Sequence, residues 1–427
     1  MGVDLRGNRI VQVFAGLVGA FLYIYKCRQG LVLTPDSWAL WQGAISILDG
    51  KGYVYFSGTQ IVAWPPLYSS YVAFWSYFLG RSAFSVLFAN SILVFITVFG
   101  WMKYSDCVLN SVNQRGAIGF QFLTMTFISF YVALNGITSA TLLAFAILPF
   151  LIVALWRIVN AAGKIDHIDI LITSGLLTVL LMSHNLSVIF VPGVVASALL
   201  MKGPARSKVF YLIWIAVVPV MAWVLLRSFL GQAGSHPMNG TNMTVLGNTL
   251  DLMRGVASNF FPTSLALAVI FLSLLLIGGL LVGTLMRLSI FWFAMVIVLS
   301  AGVSLVLVFS MVFINGSLEE HRFTHFVPLL LVPVILVSVL GQKFLTTVVG
   351  LILIPVLVFR FLEVSLVPDQ NLVPLFASIS ALPKPREILV VNGETLIGLD
   401  PWEEPLNGYT PDGRPKWGLG QTEETVE

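Results

Sequence analysis

Few residues in this chain could do chemistry, and most of them sit in one polar stretch. It runs from Thr34-Pro35-Asp36-Ser37-Trp38 through Gly50-Lys51-Gly52-Tyr53 to Trp64-Pro65-Pro66-Leu67-Tyr68. Asp36 is the leading candidate. A carboxylate there could take a proton from an attacking hydroxyl, or hold a divalent cation, Mg or Mn, beside a phosphate leaving group. It could also cap a helix, since aspartate is favoured at helix starts, and the two roles are compatible. Lys51 and Asp49 could flank a phosphate and an acceptor, or form a solvated charged pair. Tyr53, Trp64 and Tyr68, with Pro66 between the last two, could line a substrate cavity or anchor the chain at a membrane interface.

A second group lies late in the chain, in Ser317-Leu318-Glu319-Glu320-His321-Arg322-Phe323-Thr324-His325-Phe326-Val327-Pro328. Arg322 suits bidentate recognition of phosphate, or could snorkel to lipid headgroups from a helix end. His321, Glu320 and His325 could support it or ligate a metal, although two histidines four apart do not by themselves make a cage. His184, in Ser183-His184-Asn185, is either the tip of a short turn or part of the cavity wall. Cys27 and Cys107 have neither CxxC spacing nor adjacent histidines, so they offer no metal or redox motif.

The elements that must position these residues are membrane helices. The chain of 427 residues is 57% hydrophobic and only 10% charged, with a mean hydropathy of +0.92. Its outer surface therefore faces lipid rather than water. A net charge of +3 gives no case for a nucleic-acid partner. Apolar runs of spanning length fall near 10–25, 83–102, 117–134, 140–158, 168–183, 187–201, 209–229, 261–285, 288–313, 326–341 and 344–362. The expected fold is an all-α polytopic membrane protein with about eleven transmembrane helices. The first run follows Arg6 and Arg9 and ends in the bulky, charged Tyr25-Lys26-Cys27-Arg28, as an uncleaved signal anchor would.

Lysine and arginine placement orients the chain. With a cytoplasmic N-terminus, Lys103, Arg115, Arg157, Lys164, Lys202, Arg206, Lys208, Arg287 and Lys343 share the inner side. The first outer loop, 26–82, then faces away from the cytoplasm, and Cys27 and Cys107 are kept apart. Within that loop Trp38, Trp41, Ile45 and Leu48 recur at helical spacing, which predicts an amphipathic juxtamembrane helix from about Asp36 or Ser37 to Gly50. The aromatic-rich segment 67–79 is too short to span and is expected to lie in the interface.

Residues 1–367 thus form the transmembrane unit, and 368–427 a small proline-rich outer appendage with a strand at Glu387-Ile388-Leu389-Val390-Val391 before Asn392-Gly393. No P-loop, GxGxxG, HExxH, heptad or repeat appears.

The pattern Asp36-Ser37, Ala44, Leu48, Gly50, Gly52-Tyr53 and Pro65-Pro66-Leu67-Tyr68 resembles the first outer loop of the GT-C superfamily of integral-membrane glycosyltransferases. The likeness is to members related to protein O-mannosyltransferases and aminoarabinose transferases. Arg322-Phe323 with Pro328 is similar to the late arginine element of that superfamily. Ser37 and Trp64 depart from it, where relatives often carry charge. The resemblance implies a GT-C-like fold, a polyprenyl-phosphate sugar donor, inverting transfer and Asp36 as general base. Arg322, Lys51 and His321 would bind the donor phosphate. Tyr53, Trp64, Pro66, Tyr68, His184 and Glu320 would line the cavity, and Asp36 would hold any divalent metal. The acceptor is a lipid, a glycan or a protein, and the setting a plasma (inner) membrane with the site on its extracytoplasmic side. Two other readings stay open: a carrier of polyprenyl-linked lipid or glycan, and a polymerase or ligase using diphosphate-linked donors. A carrier should show charges or broken helices near its midplane.

Overall fold

The computed structural model describes residues 5–27, 35–55, 58, 60–61, 64–111, 117–136, 139–161, 166–201, 205–229, 289–312, 325–339, 358, 389–391 and 394–396. These residues are almost entirely helical. Among the described residues, six helices are long and apolar enough to cross a membrane: Arg9–Lys26, Phe84–Asn110, Ile118–Asn135, Ala140–Asn160, Lys208–Leu226 and Ser289–Leu307. Shorter apolar helices cover His167–Ser183, Asn185–Ser197 and Phe326–Val337. The expected runs 261–285 and 344–362 lie outside the described residues.

Four helices make the centre: α1 (Leu5–Lys26), α4 (Ala83–Asn110), α5 (Ala117–Asn135) and α6 (Ala140–Asn160). Helix α1 approaches α4 closely because a Cβ on Gly16 would stand 2.7 Å from Phe95 Cδ2 and one on Gly19 2.7 Å from Val98 Cγ2. Small residues let membrane helices gain van der Waals contact where no hydrophobic force separates helix from lipid. Around this centre lie α7 (His167–Ser183), a 3-10 turn (Asn185–Phe190) leading into α8 (Val191–Leu199), α11 (Ser289–Val312) and α12 (Phe326–Val339). Apolar side chains such as Ile10, Phe21, Leu171, Leu225 and Val303 point outward, as a lipid-facing surface requires.

A peripheral pair, α9 (Ala205–Leu212) and α10 (Val218–Phe229), is joined through a π turn at Ile213–Val217. Pro219, just beyond it, has no N–H and its ring crowds the carbonyl four residues back, so the wider turn relieves the clash.

Helix α4 continues to Asn110, beyond the expected end near residue 102. Lys103, expected in an inner loop, and Asp106 three residues on are both helical. The Lys103 ammonium lies 5.2 Å from the Phe99 ring centroid and 5.7 Å from that of Phe150. Asp106 is buried and accepts a hydrogen bond from Gln12 Nε2 on α1. Charge in a helix is tolerated when such partners are supplied by its neighbours.

Two short helices, α2 (Pro35–Leu48) and α3 (Leu67–Leu79), cap the end of the bundle where α1 finishes. This is called the loop end below. Near the C-terminus, β1 (Leu389–Val391) pairs antiparallel with β2 (Glu394–Leu396), with Val391 opposite Glu394. The strand read at 387–391 is present in part, and the Asn-Gly pair between the two strands is the dipeptide a two-residue hairpin favours.

Candidate functional site

Helix α2 begins at Pro35, whose fixed φ and missing N–H suit the first helical position. Asp36 therefore lies inside the first turn of α2, one place beyond the cap position expected for it. A carboxylate in the first helical turn is favoured by the helix dipole. The helix ends at Leu48 in a Schellman arrangement: Lys51 N donates to Ser46 O (2.9 Å) and Gly50 N to Ile47 O (3.0 Å). Gly50 takes the left-handed conformation this motif needs, at φ 71°.

The expected amphipathic character of α2 needs correction. Gln42 and Ser46, off the apolar stripe, are as buried as Trp41 and Ile45 on it, at 0% and 1% exposed against 4% and 6%. The loop after α2 folds back over the face that would otherwise meet water. Ile61 N donates to Tyr53 O (3.3 Å), Val54 bridges to Gln60, and Tyr55 and Ile61 pack on Ala39. Tyr53 lies on the helix itself: a Cβ at Gly43 would clash with the edge of its ring. The Gly52-Tyr53 element thus clamps the loop to the middle of α2. Burial pushes the Tyr53 hydroxyl well above the usual phenol range, so it serves as a hydrogen-bond donor and never as a base near neutrality.

Pro66 precedes α3 at its cap position, and Trp64 packs beside Tyr55 and Ile61. Tyr68 is 1% exposed, and its hydroxyl donates to Asn90 Oδ1 on α4 (2.8 Å). Asn90 Nδ2 in turn donates to the Tyr23 hydroxyl on α1 (3.3 Å). The chain Tyr68–Asn90–Tyr23 locks α3 to two central helices. Burial raises the Tyr68 pKa, and likewise pushes that of Tyr71 up to about 12. Ser69 Oγ donates to Leu40 O (2.7 Å), joining α3 to α2. The outer face of α3 leaves Phe74, Tyr77 and Phe78 exposed, which suits the interfacial position expected for it.

Lys51 is exposed, with Nζ 3.7 Å from Asp49 Oδ2; Arg81 pairs with the same carboxylate. The three charges form a small surface cluster with one positive charge in excess. Such exposed pairs contribute little stability.

His184 separates α7 from the 3-10 turn. Its Nδ1 accepts from Leu186 N (3.1 Å), so the neutral ring carries its proton on Nε2. It thereby caps a break in an apolar run. The 3-10 turn also reaches the start of α12, where the Phe190 and Phe326 rings meet edge to face at 5.1 Å. His325, immediately before α12, forms a hydrogen bond through Nδ1 with the Tyr131 hydroxyl of α5 (3.1 Å).

The structure therefore gathers at one end of the bundle α2 with Asp36 in its first turn, Tyr53, Trp64, Pro66 and Tyr68, with α3 touching α4, α6 and α7. Arg322, His321 and Glu320 lie outside the described residues. Among the described residues no group of three His, Cys, Asp or Glu side chains could hold a metal ion. Neither Cys27 nor Cys107 forms a disulfide.

Two features escaped sequence reasoning. Lys26 read as an outer loop charge, but it is buried against backbone carbonyls of α5. Asp106 is not singled out by any motif; its helical spacing from Lys103 and the polar Gln12 in the first apolar run are the available signals. No family model, curated protein or solved structure matches the chain.

Proposed function

We propose that the protein is a GT-C-like membrane glycosyltransferase of about eleven transmembrane helices that uses a polyprenyl-phosphate sugar donor. The observation that carries the reading is the placement of Asp36 in the first turn of a buried loop-end helix clamped by Tyr53 and followed by the Pro65-Pro66-Leu67 start of α3. That combination is what the sequence resemblance predicts of an acid-bearing first outer loop. In the proposed reaction, Asp36 takes the proton from an acceptor hydroxyl while its oxygen attacks the sugar's anomeric carbon. The carbon–phosphate oxygen bond breaks from the opposite face, its electron pair leaves with the polyprenyl phosphate, and the configuration inverts. Arg322 offsets the charge on the leaving phosphate, and Lys51 and His321 assist at the rim. The donor tail stays in lipid alongside the bundle, and the site faces the extracytoplasmic side of a plasma membrane. The acceptor is a lipid, glycan or protein hydroxyl.

The carrier reading has on its side Asp106 held by Gln12 between α1 and α4, the buried Lys26 and the break in the apolar run at His184. Groups confined to the two ends of the bundle do not make a path across the membrane, so the enzyme reading is preferred.

The test is an assay of the purified protein against a panel of polyprenyl-phosphate sugars, with and without EDTA. The expected result is transfer from one donor class and none from the Asp36→Asn variant. Absence of transfer from every donor, with flipping of the labelled lipid in vesicles, would overturn the reading in favour of a carrier.

A further inference from the structure

The hydrogen bond between Gln12 and Asp106 satisfies only half of the Gln12 amide. Nε2 donates to Asp106 Oδ2, while Oε1 of the same amide is buried and meets no donor among the described residues. An acceptor left unpaired inside a bundle costs free energy. An ionised carboxylate beside it gives no relief, because it holds lone pairs and no hydrogen. A protonated carboxyl does. Its O–H donates to Oε1 while its other oxygen accepts from Nε2, so acid and amide close a ring of two hydrogen bonds with neither group unpaired.

The surroundings of Asp106 agree. The Gln121 side chain on α5 hydrogen-bonds to the same carboxyl, so both of its partners are neutral amides. A cation was within reach, since Lys103 stands one turn earlier on the same face of α4. Its ammonium lies instead over the rings of Phe99 and Phe150. Arg157 of α6 and Lys103 both act on the Cys107 thiol next to Asp106, yet among the described residues the ion pairs are those made by Asp49. Of the other helices packed on α4, α1 carries Arg9 one turn before Gln12, and α12 has no titratable residue and accepts from the Tyr104 hydroxyl at Leu330 O (3.1 Å). Helix α3 meets α4 at the loop end, through Ala89, Asn90 and Ser85.

A carboxyl among apolar helices sheds its charge by keeping a proton. We infer that Asp106, Gln12 and Gln121 form a proton-binding site that clasps α1 to α4 and α5 at the end opposite the outer loop. The proton comes from water at that end, where Lys103, Cys107 and Gln121 are half-buried. When it leaves, Asp106 keeps its two amide donors, Gln12 Oε1 loses its own, and α1 is held less firmly. The site stands apart from the reaction proposed at the loop end and does not depend on it.

The experiment uses the full chain in detergent micelles. Infrared difference spectra of wild type against Asp106→Asn at neutral pH are expected to show the C=O stretch of a protonated carboxyl, and Gln12→Met to shift that band. Asp106→Asn offers Gln12 the same donor and acceptor without titrating, so it should fold as well as the wild type. The folded wild type holds a proton that an ordinary aspartate, with a pKa of about 3.9, has released. Its stability therefore falls as pH rises from that value towards the pKa of the site. The ratio of wild-type to Asp106→Asn unfolding constants should rise about tenfold per pH unit over that range, then level off. A carboxylate spectrum at neutral pH overturns the inference, as does a ratio that stays constant between about pH 5 and pH 7. An Asp106→Asn chain that fails to fold overturns it too, because a charged carboxylate would then be what the bundle requires. A carboxyl band that ignores Gln12→Met removes the clasp and overturns it as well.

Discussion

The two ends of the bundle treat polar side chains differently. At the loop end, polar groups are used to fasten short pieces of chain: Lys26 to the end of α5, Ser69 to α2, Tyr68 to α4, and His184 to the turn after it. Most of these bonds run from a side chain to a backbone group, or join a short helix to a long one. At the opposite end the polar groups join long helices directly. Gln12 of α1 donates to Asp106 of α4, and Lys103 rests over rings of α4 and α6. The first arrangement holds irregular backbone in a defined shape, which is what a site built on loops needs. The second only keeps apolar cylinders in register.

If that contrast is sound, chemistry should be lost from one end and stability alone from the other. The largest effect is expected from Asp36→Asn, with kcat for sugar transfer lower by about a hundredfold or more at an unchanged unfolding temperature. Transfer at the wild-type rate in this variant would remove the general base from the loop end. Arg322→Ala should raise donor KM by more than about tenfold while leaving acceptor KM in place, because a charge-assisted bond to phosphate is lost. Gly43→Val should displace Tyr53 from α2 and lower the unfolding free energy by about 1–3 kcal/mol, with transfer falling alongside. Thermal unfolding in detergent and a parallel assay would show whether the clamp matters to both.

At the opposite end, Asp106→Ala leaves Gln12 buried without its partner and should lower stability by about 1–3 kcal/mol with transfer retained. Loss of transfer from the folded variant would break the comparison, since it would place function at both ends. The smallest effect is expected from Ser69→Ala, about 0.5–1.5 kcal/mol, as its hydrogen bonds to Leu40 O and to the Tyr53 side chain disappear. An effect several times larger would mean that α2 depends on α3 for more than these contacts.

The helices were legible where the signal was local. The segment 67–79 is a helix over the same residues, Leu67–Leu79, and the runs at 117–134 and 140–158 end within two residues of their helices. Gly50 marks the end of α2 because only a backbone effect is involved. Reading failed where a partner distant in sequence changes a residue's meaning. Lys103 reads as an inner-loop charge because the two phenylalanine rings beneath it cannot be assigned from spacing, and nothing local marks Gln12 as the partner of Asp106. Helix α2 looked amphipathic because the loop that covers its polar face comes from residues 53–61 and could not be placed there. His184 announced itself as an oddity in an apolar run, but its role as a cap depends on a backbone direction that the sequence does not record.

Composition and periodicity alone determined that the chain carries apolar helices long enough to cross a membrane, the approximate extent of several of them, and that Asp36 stands at the start of a short helix outside the apolar spans. Those are properties of adjacent residues and of their transfer from water to lipid. Tertiary structure alone decided that Tyr53 lies on Gly43, that Tyr68 turns inward to Asn90, and that Lys26 and His325 meet the same turn of α5. Each of these contacts joins different elements, and the last two span more than a hundred residues of chain. Their geometry depends on how whole helices pack, a quantity that no local pattern carries.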